Sequence, residues 1–220
     1  MSTRVLFFSD FVCPYCYVAE TGVLGRLIEE YEIELDWRGF QLHPATPRGG
    51  IALGQLLRGA DVTVMQAQMK AFAATFGVRM GQPAHVANTR RALAAAEHAR
   101  DAGQLHPFRH AVMDAYWNCG QDIELDNTLA GAATSAGLDP AALVAAADDP
   151  AMQARVDEMG AEAAKWGVTG VPTYFLLPDG WGLDQPPPAP DAPHPVRVVG
   201  CQPWESVVVA ARRAGAKLRA

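Results

Sequence analysis

Phe11-Val12-Cys13-Pro14-Tyr15-Cys16-Tyr17 is the stretch whose reading decides the fold. Before it, Val5-Leu6-Phe7-Phe8 is a short apolar run of the kind a buried strand carries. After it, Val18, Leu24, Leu27 and Ile28 recur at roughly helical spacing, so Cys13 stands where a strand hands over to a helix. Pro14 then falls at the first helical position, where its missing N–H is no loss and its fixed φ suits the helix. That puts the Cys13 sulfur against the unpaired amides and the positive dipole end of the helix. A thiolate is favoured there: helix N-termini in Cys-X-X-Cys motifs lower a cysteine pKa from about 8.5 to roughly 3.5–7.5. Cys16 lies on the same face, within disulfide reach and deeper. The spacing describes a nucleophile and a resolving thiol. Cys-X-X-Cys also serves as half of a zinc site, which needs a second pair of ligands. Cys119 and Cys201 stand apart from one another, so redox chemistry is favoured over metal binding.

Composition sets the bounds. The chain has 220 residues, half of them apolar and 19% charged, which suits a globular protein with a real core. Its net charge of −6 argues against a nucleic-acid or anionic-membrane partner. Four cysteines are too few and too scattered for a disulfide scaffold. The N-terminal apolar run is shorter than the roughly 7–15 residues of a secretory signal. No stretch approaches the roughly 18 apolar residues of a membrane span. The expected compartment is the cytoplasm, where a disulfide is usually transient and catalytic.

Along the chain, a first helix is predicted over 14–31, followed by a strand in Ile33-Glu34-Leu35-Asp36-Trp37, where apolar and polar residues alternate. Strand, helix and strand within 40 residues form a βαβ unit with parallel strands and a right-handed crossover. Residues 40–50 read as a loop. From there to about Asp149 no strand is predicted. Helices punctuated by glycine stops are expected over 62–76, from Asn88-Thr89 to Gly103, over 107–118, after Asp126 as N-cap to Gly137, and after Asp139-Pro140. A further helix opens at Pro150 and ends at Gly167, a strand follows over 168–177, and Val196-Arg197-Val198-Val199 pairs with it. Residues 185–195 hold six prolines and are expected to form an exposed polyproline-like loop. A C-terminal helix starts at Pro203.

A βαβ unit with Cys-X-X-Cys at its helix, a helical block, and a ββα unit introduced by Val171-Pro172-Thr173 describe an α/β protein of the thioredoxin fold with a large all-helical insertion. The division expected is a thioredoxin-like domain of 1–48 and 150–220 and a helical insertion of 49–149. The sequence resembles the DsbA-like thioredoxin superfamily, specifically the cytosolic FrnE-like oxidoreductases. The resemblance spans essentially the whole chain. It is carried by 10–17, Phe40-Gln41-Leu42-His43-Pro44, Asn88-Thr89, 115–123, 167–173 and Gly200-Cys201-Gln202-Pro203. It implies that Pro172 is cis and faces the two cysteines, with the Val171 backbone offered to a peptide or glutathione. It also implies that Asn88 reaches the substrate groove, although an N-cap role explains Asn88 equally well. The chain departs from that family in four places. Tyr15 stands where tryptophan is usual, Leu93 where a histidine is, and Cys201 where alanine is. Phe7 takes the position six residues before the first cysteine at which thioredoxin and DsbA bury a carboxylate. Asp10 is nearer, but is expected to be solvated, which leaves water as the proton route for Cys16.

The activity expected is thiol–disulfide exchange with protein clients or glutathione, Cys13 attacking and Cys16 resolving. Tyr15, Val171, Pro172 and Asn88 are the expected substrate contacts. No metal, flavin or nucleotide is implied, with glutathione as the co-substrate. The sequence leaves the oligomeric state open, a homodimer included. Two rivals stand beside this reading. One is glutathione-dependent isomerase or transferase chemistry, as in the related 2-hydroxychromene-2-carboxylate isomerases and kappa-class glutathione transferases; those generally carry serine where Cys13 stands. The other is a non-catalytic binding or chaperone module. Cys119 and Cys201 are expected to be small buried apolar residues. His43, His98, His106 and His110 are expected at the surface or in packing, and Arg90-Arg91 on a solvated helix face.

Overall fold

The computed structural model describes residues 2–181 and 193–219. Its central sheet has the strand order β2-β1-β5-β6, where β1 is Thr3–Ser9, β2 Ile33–Gly39, β5 Thr173–Leu177 and β6 Val196–Val199. β1 pairs parallel to β2, Thr3 opposite Ile33 through Ser9 opposite Gly39. It pairs antiparallel to β5, Phe7 facing Tyr174, and β5 pairs antiparallel to β6. β1 is therefore central. Its residues from Val5 to Ser9 are all buried, which explains the unbroken apolar run.

The crossover from β1 to β2 is helical over nearly its whole length but not uniform. α1 (Pro14–Ala19) passes into a π-helical segment, Glu20–Leu24, and then into α2 (Gly25–Glu30). The expected single helix thus carries a widened turn in its middle. Gly22 sits in that turn, where a Cβ would lie 2.9 Å from Val78 Cγ2 and 3.0 Å from the Phe76 carbonyl.

The intervening block is mostly helical: α4 (Val62–Thr75), α5 (Arg90–Asp101), α6 (Leu105–Trp117), α7 (Asp126–Ser135), α8 (Pro140–Ala147) and α9 (Pro150–Lys165). It also holds what the sequence reading missed. β3 (Ile51–Ala52) pairs with β4 (His85–Val86), and the short helix α3 (Leu53–Leu56) follows β3. Two-residue strands are too short to leave an alternation in sequence. α10 (Trp204–Arg213) closes the chain.

Three local expectations change. Asp126 is the first residue of α7 rather than its cap, because its carboxylate is drawn to Arg91 Nη2 at 2.7 Å. Arg91 itself is buried, not solvated, with Asp148 as its second partner. The strand expected from Val168 begins only at Thr173; Thr173 Oγ1 instead donates to the Gly170 carbonyl at 2.8 Å. The proline-rich loop expected over 185–195 falls largely outside the described residues. Among the described residues no helix is long and apolar enough to cross a membrane.

Candidate active site

Cys13 is the N-cap of α1, with extended backbone (φ −82°, ψ 114°), and Pro14 is the first helical residue. The Cys16 amide donates to Cys13 Sγ at 3.3 Å, in the place of the hydroxyl or carboxylate that usually caps a helix. On its other side the Cys13 thiol lies 3.4 Å from the Val171 carbonyl oxygen. The Val171–Pro172 peptide bond is cis. Pro172 in turn is tied to the end of β6, its carbonyl accepting from the Gly200 amide at 2.8 Å. Cys13, Cys16, Val171 and Pro172, from opposite ends of the chain, are thus brought together. Both thiols are free and almost fully buried. Burial first, and then the adjacent Cys13 sulfur, push the Cys16 thiol well up from its ordinary pKa. Cys201 follows β6 close to the same bend; burial and the neighbouring Cys13 raise its thiol to about 12. Cys119 is exposed, contrary to expectation, because it lies in the turn beyond the end of α6.

Asp10 departs furthest from the sequence reading. It is fully buried, not solvated. Its Oδ2 accepts from the Leu42 amide at 2.7 Å, tying the loop after β2 to the turn that precedes Cys13. Its Oδ1 has no hydrogen bond of ordinary geometry, although the Thr89 hydroxyl and the Phe11 and Val12 amides lie near enough to favour the anion. Burial outweighs them and raises the carboxyl from 3.8 to about 7.

Beneath the two cysteines lies a second buried carboxylate that the sequence reading did not single out. Glu20, four residues after Cys16, faces inward. Its Oε1 accepts from Ser9 Oγ at 2.7 Å and from Trp37 Nε1 at 3.3 Å. Its Oε2 pairs with Arg109 of α6, which is itself buried and lies over the Trp37 ring. Burial lowers the Arg109 pKa, and the Glu20 charge opposes that. A charged residue one turn along the apolar face of α1 was the available signal.

Tyr15 is half exposed and meets Phe72 edge-to-face, ring centroids 5.3 Å apart. Both line a cleft of about 670 Å³ between the start of α1 and the helical block. Leu56, Met65, Met69 and Met80 make its apolar walls, Trp117 and Tyr116 its far side, and His43, Lys70 and His85 supply polar groups. Burial lowers the His43 pKa. The size is that of a small-molecule site. Asn88 does not line this cleft. Its Oδ1 accepts from Gln41 Nε2 at 3.1 Å and from the Arg90 amide at 3.0 Å, and its Nδ2 donates to the Thr46 carbonyl at 2.6 Å. It fastens the 40–47 loop to the start of α5.

Comparison with known proteins follows the geometry. The sequence signature of the DSBA-like thioredoxin domain matches residues 4–207. A 2-hydroxychromene-2-carboxylate isomerase of Sphingobium xenophagum is 28% identical over 191 residues, covering 84% of this chain and 95% of that one. A protein of the same name from Pseudomonas putida is 26% identical over 180 residues, 80% of this chain and 86% of that one. Among solved structures, a probable DsbA oxidoreductase from Streptomyces coelicolor superposes with a TM-score of 0.77 at 24% identity, covering 97% of this chain and 90% of that one. The cytosolic disulfide reductase DsbM from Pseudomonas aeruginosa superposes at 0.67 with 17% identity, covering 96% and 98%. At these identities the two structures establish a shared fold.

Proposed function

The chain belongs to the DSBA-like thioredoxin family, and on that premise we propose that it is a cytoplasmic thiol–disulfide oxidoreductase whose redox pair is Cys13 and Cys16. The observation that carries the reading is the placement of Cys13 Sγ, with the Cys16 amide on one side and the Val171 carbonyl on the other. The amide donates to the sulfur, an interaction stronger for a thiolate than for a thiol. A substrate disulfide approaching Cys13 meets the Val171 backbone, which supplies polar groups to an extended peptide or to glutathione.

The Cys13 thiolate attacks one sulfur of the substrate disulfide. A Cys13–substrate bond forms, the substrate S–S bond breaks, and one thiolate leaves. Cys16 then attacks Cys13, releasing the second substrate thiolate and leaving the pair as a disulfide. An external thiol reverses both steps. In this reading residues 1–48 and 150–220 form the redox unit, and 49–149 supply most of the cleft wall. Tyr15 covers the near edge of the cleft. Asn88 holds the loop that floors it and does not touch substrate.

A second reading rests on the cleft. An apolar volume beside Cys13 suits a small aromatic substrate, and two curated relatives are named as isomerases of one. In that case glutathione would lie at Cys13 unlinked, with the substrate in the cleft.

One experiment separates the two. Wild type, Cys16→Ser and Cys13→Ser are assayed for insulin reduction and incubated with oxidised glutathione for intact-mass analysis. Wild type should reduce insulin and lose the mass of its two thiol hydrogens as the Cys13–Cys16 disulfide forms, Cys16→Ser should retain one glutathione at Cys13, and Cys13→Ser should do none of these. Equal activity in wild type and Cys13→Ser, or glutathione that binds without linking, sinks the redox reading.

A further inference from the structure

We propose that the cleft beside Cys13 selects small aryl disulfides that carry an acidic group, the ring seated against Phe72 of α4 and the acid met by Lys70. The inference rests on the redox reading above and names the disulfides that site takes. Along α4 only Ala73 is buried. Met65, Met69 and Phe72, at the three- and four-residue spacing of one helical face, turn to the cleft instead, and none of them is buried. An apolar stripe left unburied in this way marks a binding surface. The opposite wall is fixed to the cysteine turn. Trp117 Nε1 donates to the Phe11 carbonyl at 2.9 Å, and the Trp117 ring stacks on Tyr17 with centroids 5.8 Å apart. Val12, Pro14 and Tyr15, on either side of Cys13, line the same cleft, so a ring bonded to the attacked sulfur has its place there. Aromatic walls and methionine thioethers favour a ring over an aliphatic chain, through edge-to-face and sulfur contacts.

Charge narrows the class. Among the described residues no aspartate or glutamate lines the cleft. Of its polar groups, the His85 ring already has a counter-charge, its Nε2 lying 3.5 Å from Asp122 Oδ1. Burial lowers the His43 pKa and so favours its neutral form. Lys70 remains. α4 carries no acidic residue that could pair with it, and it makes no ion pair among the described residues. Its ammonium stands at the rim of an apolar cleft, where it complements an acid held at the solvent edge of a buried ring. A cationic ligand would find no partner on these walls.

The reaction balances without a further reagent. The Cys13 thiolate attacks one substrate sulfur; the Cys13–sulfur bond forms, the aryl S–S bond breaks, and the electron pair leaves on an aryl thiolate. Thiols of low pKa leave fastest, and a ring that delocalises the charge makes such a thiol. Cys16 then attacks Cys13 and frees the second aryl thiolate. One aryl disulfide and two protein thiols become two aryl thiolates, one protein disulfide and two protons.

The test is a single turnover of the reduced protein with excess disulfide at neutral pH. Cys119 is exposed and Cys201 half-buried, so both are first replaced (Cys119→Ser, Cys201→Ala), leaving the redox pair as the thiols that react. Three probes are compared: 4,4′-dithiodibenzoate, the uncharged 4,4′-dithiodianiline, and cystamine, which is aliphatic and cationic. The rate should saturate with dithiodibenzoate. Lys70→Gln should raise its half-saturation about threefold and Lys70→Glu roughly tenfold, the scale of one exposed ion pair removed and then reversed. The limiting rate, and both constants for dithiodianiline, should move by less than about twofold. Phe72→Ala should raise half-saturation roughly tenfold for both aryl probes, with the cystamine rate within about twofold. Native circular dichroism checks each variant. Equal effects of Lys70→Glu on the charged and uncharged aryl probes overturn the proposal, as does Phe72→Ala that leaves the aryl probes untouched or slows cystamine as much. In those outcomes the redox reading stands. If no probe, cystamine included, oxidises the pair, the redox reading fails and this inference with it.

Discussion

Replacing Asp10 by asparagine should make the protein more stable at neutral pH, and the size of the gain follows from the burial of that carboxyl. Burial raises its pKa from 3.8 to about 7 in the folded chain. The shift is about three units, and at roughly 1.4 kcal/mol per unit the folded state is penalised by about 4 kcal/mol once the group is ionised. The sign follows from the direction of the shift. A carboxyl raised on folding binds its proton more tightly in the native state. The stability it lends is whole below pH 3.8, declines as pH rises, and is gone above about 7. Asparagine keeps an oxygen for the Leu42 amide and carries no charge. It also places an amide nitrogen where Oδ1 lacks a well-formed partner, at a cost of about 1–3 kcal/mol that does not vary with pH. The net gain at pH 8 is therefore about 1–3 kcal/mol, but the change in the difference between pH 4 and pH 8 is the full 4 or so. Urea denaturation of both proteins at pH 4, 6 and 8 measures it. Asp10→Asn should be the less stable protein at pH 4 and the more stable at pH 8. A stability difference that stays constant across that range would refute the placement of Asp10 as a desolvated carboxyl.

Two further outcomes follow from the packing. Gly81→Ala puts a Cβ 2.1 Å from the Trp117 carbonyl oxygen on the cleft wall, so backbone must move; the cost should be about 1–3 kcal/mol, read as a lower melting temperature by about 2–4 °C per kcal/mol. Arg109→Met leaves Glu20 buried without its counter-charge and should cost about 3–5 kcal/mol in urea denaturation, whereas Arg109→Met with Glu20→Leu should recover most of that loss.

The parts of the fold that were legible in sequence are those whose signals are local. The apolar run of β1, Pro14 at the first turn of α1 and the glycine stops of the helical block each act within a few residues of where they stand. They placed most elements of the described chain to within a few residues. The widened turn at Glu20–Leu24 and the two-residue pair of β3 and β4 were not legible, since neither has a periodicity long enough to read. Asp126 shows the same limit: a good capping residue was diverted by Arg91, 35 positions earlier.

The candidate site divides along the same line. Sequence alone determined that a cysteine sits where a strand meets a helix with a second thiol one turn on, because strand period, proline position and motif spacing are properties of adjacent residues. Only the tertiary structure decided what surrounds those sulfurs. Asp10 lost its water because Leu42, 32 residues away, and the loop it anchors closed over it. Glu20 became an interior group because Arg109, 89 residues on, was brought against it. The electrostatic environment of a buried group depends on which distant segments exclude solvent from it and which charges they bring, and that information exists only once the chain has packed.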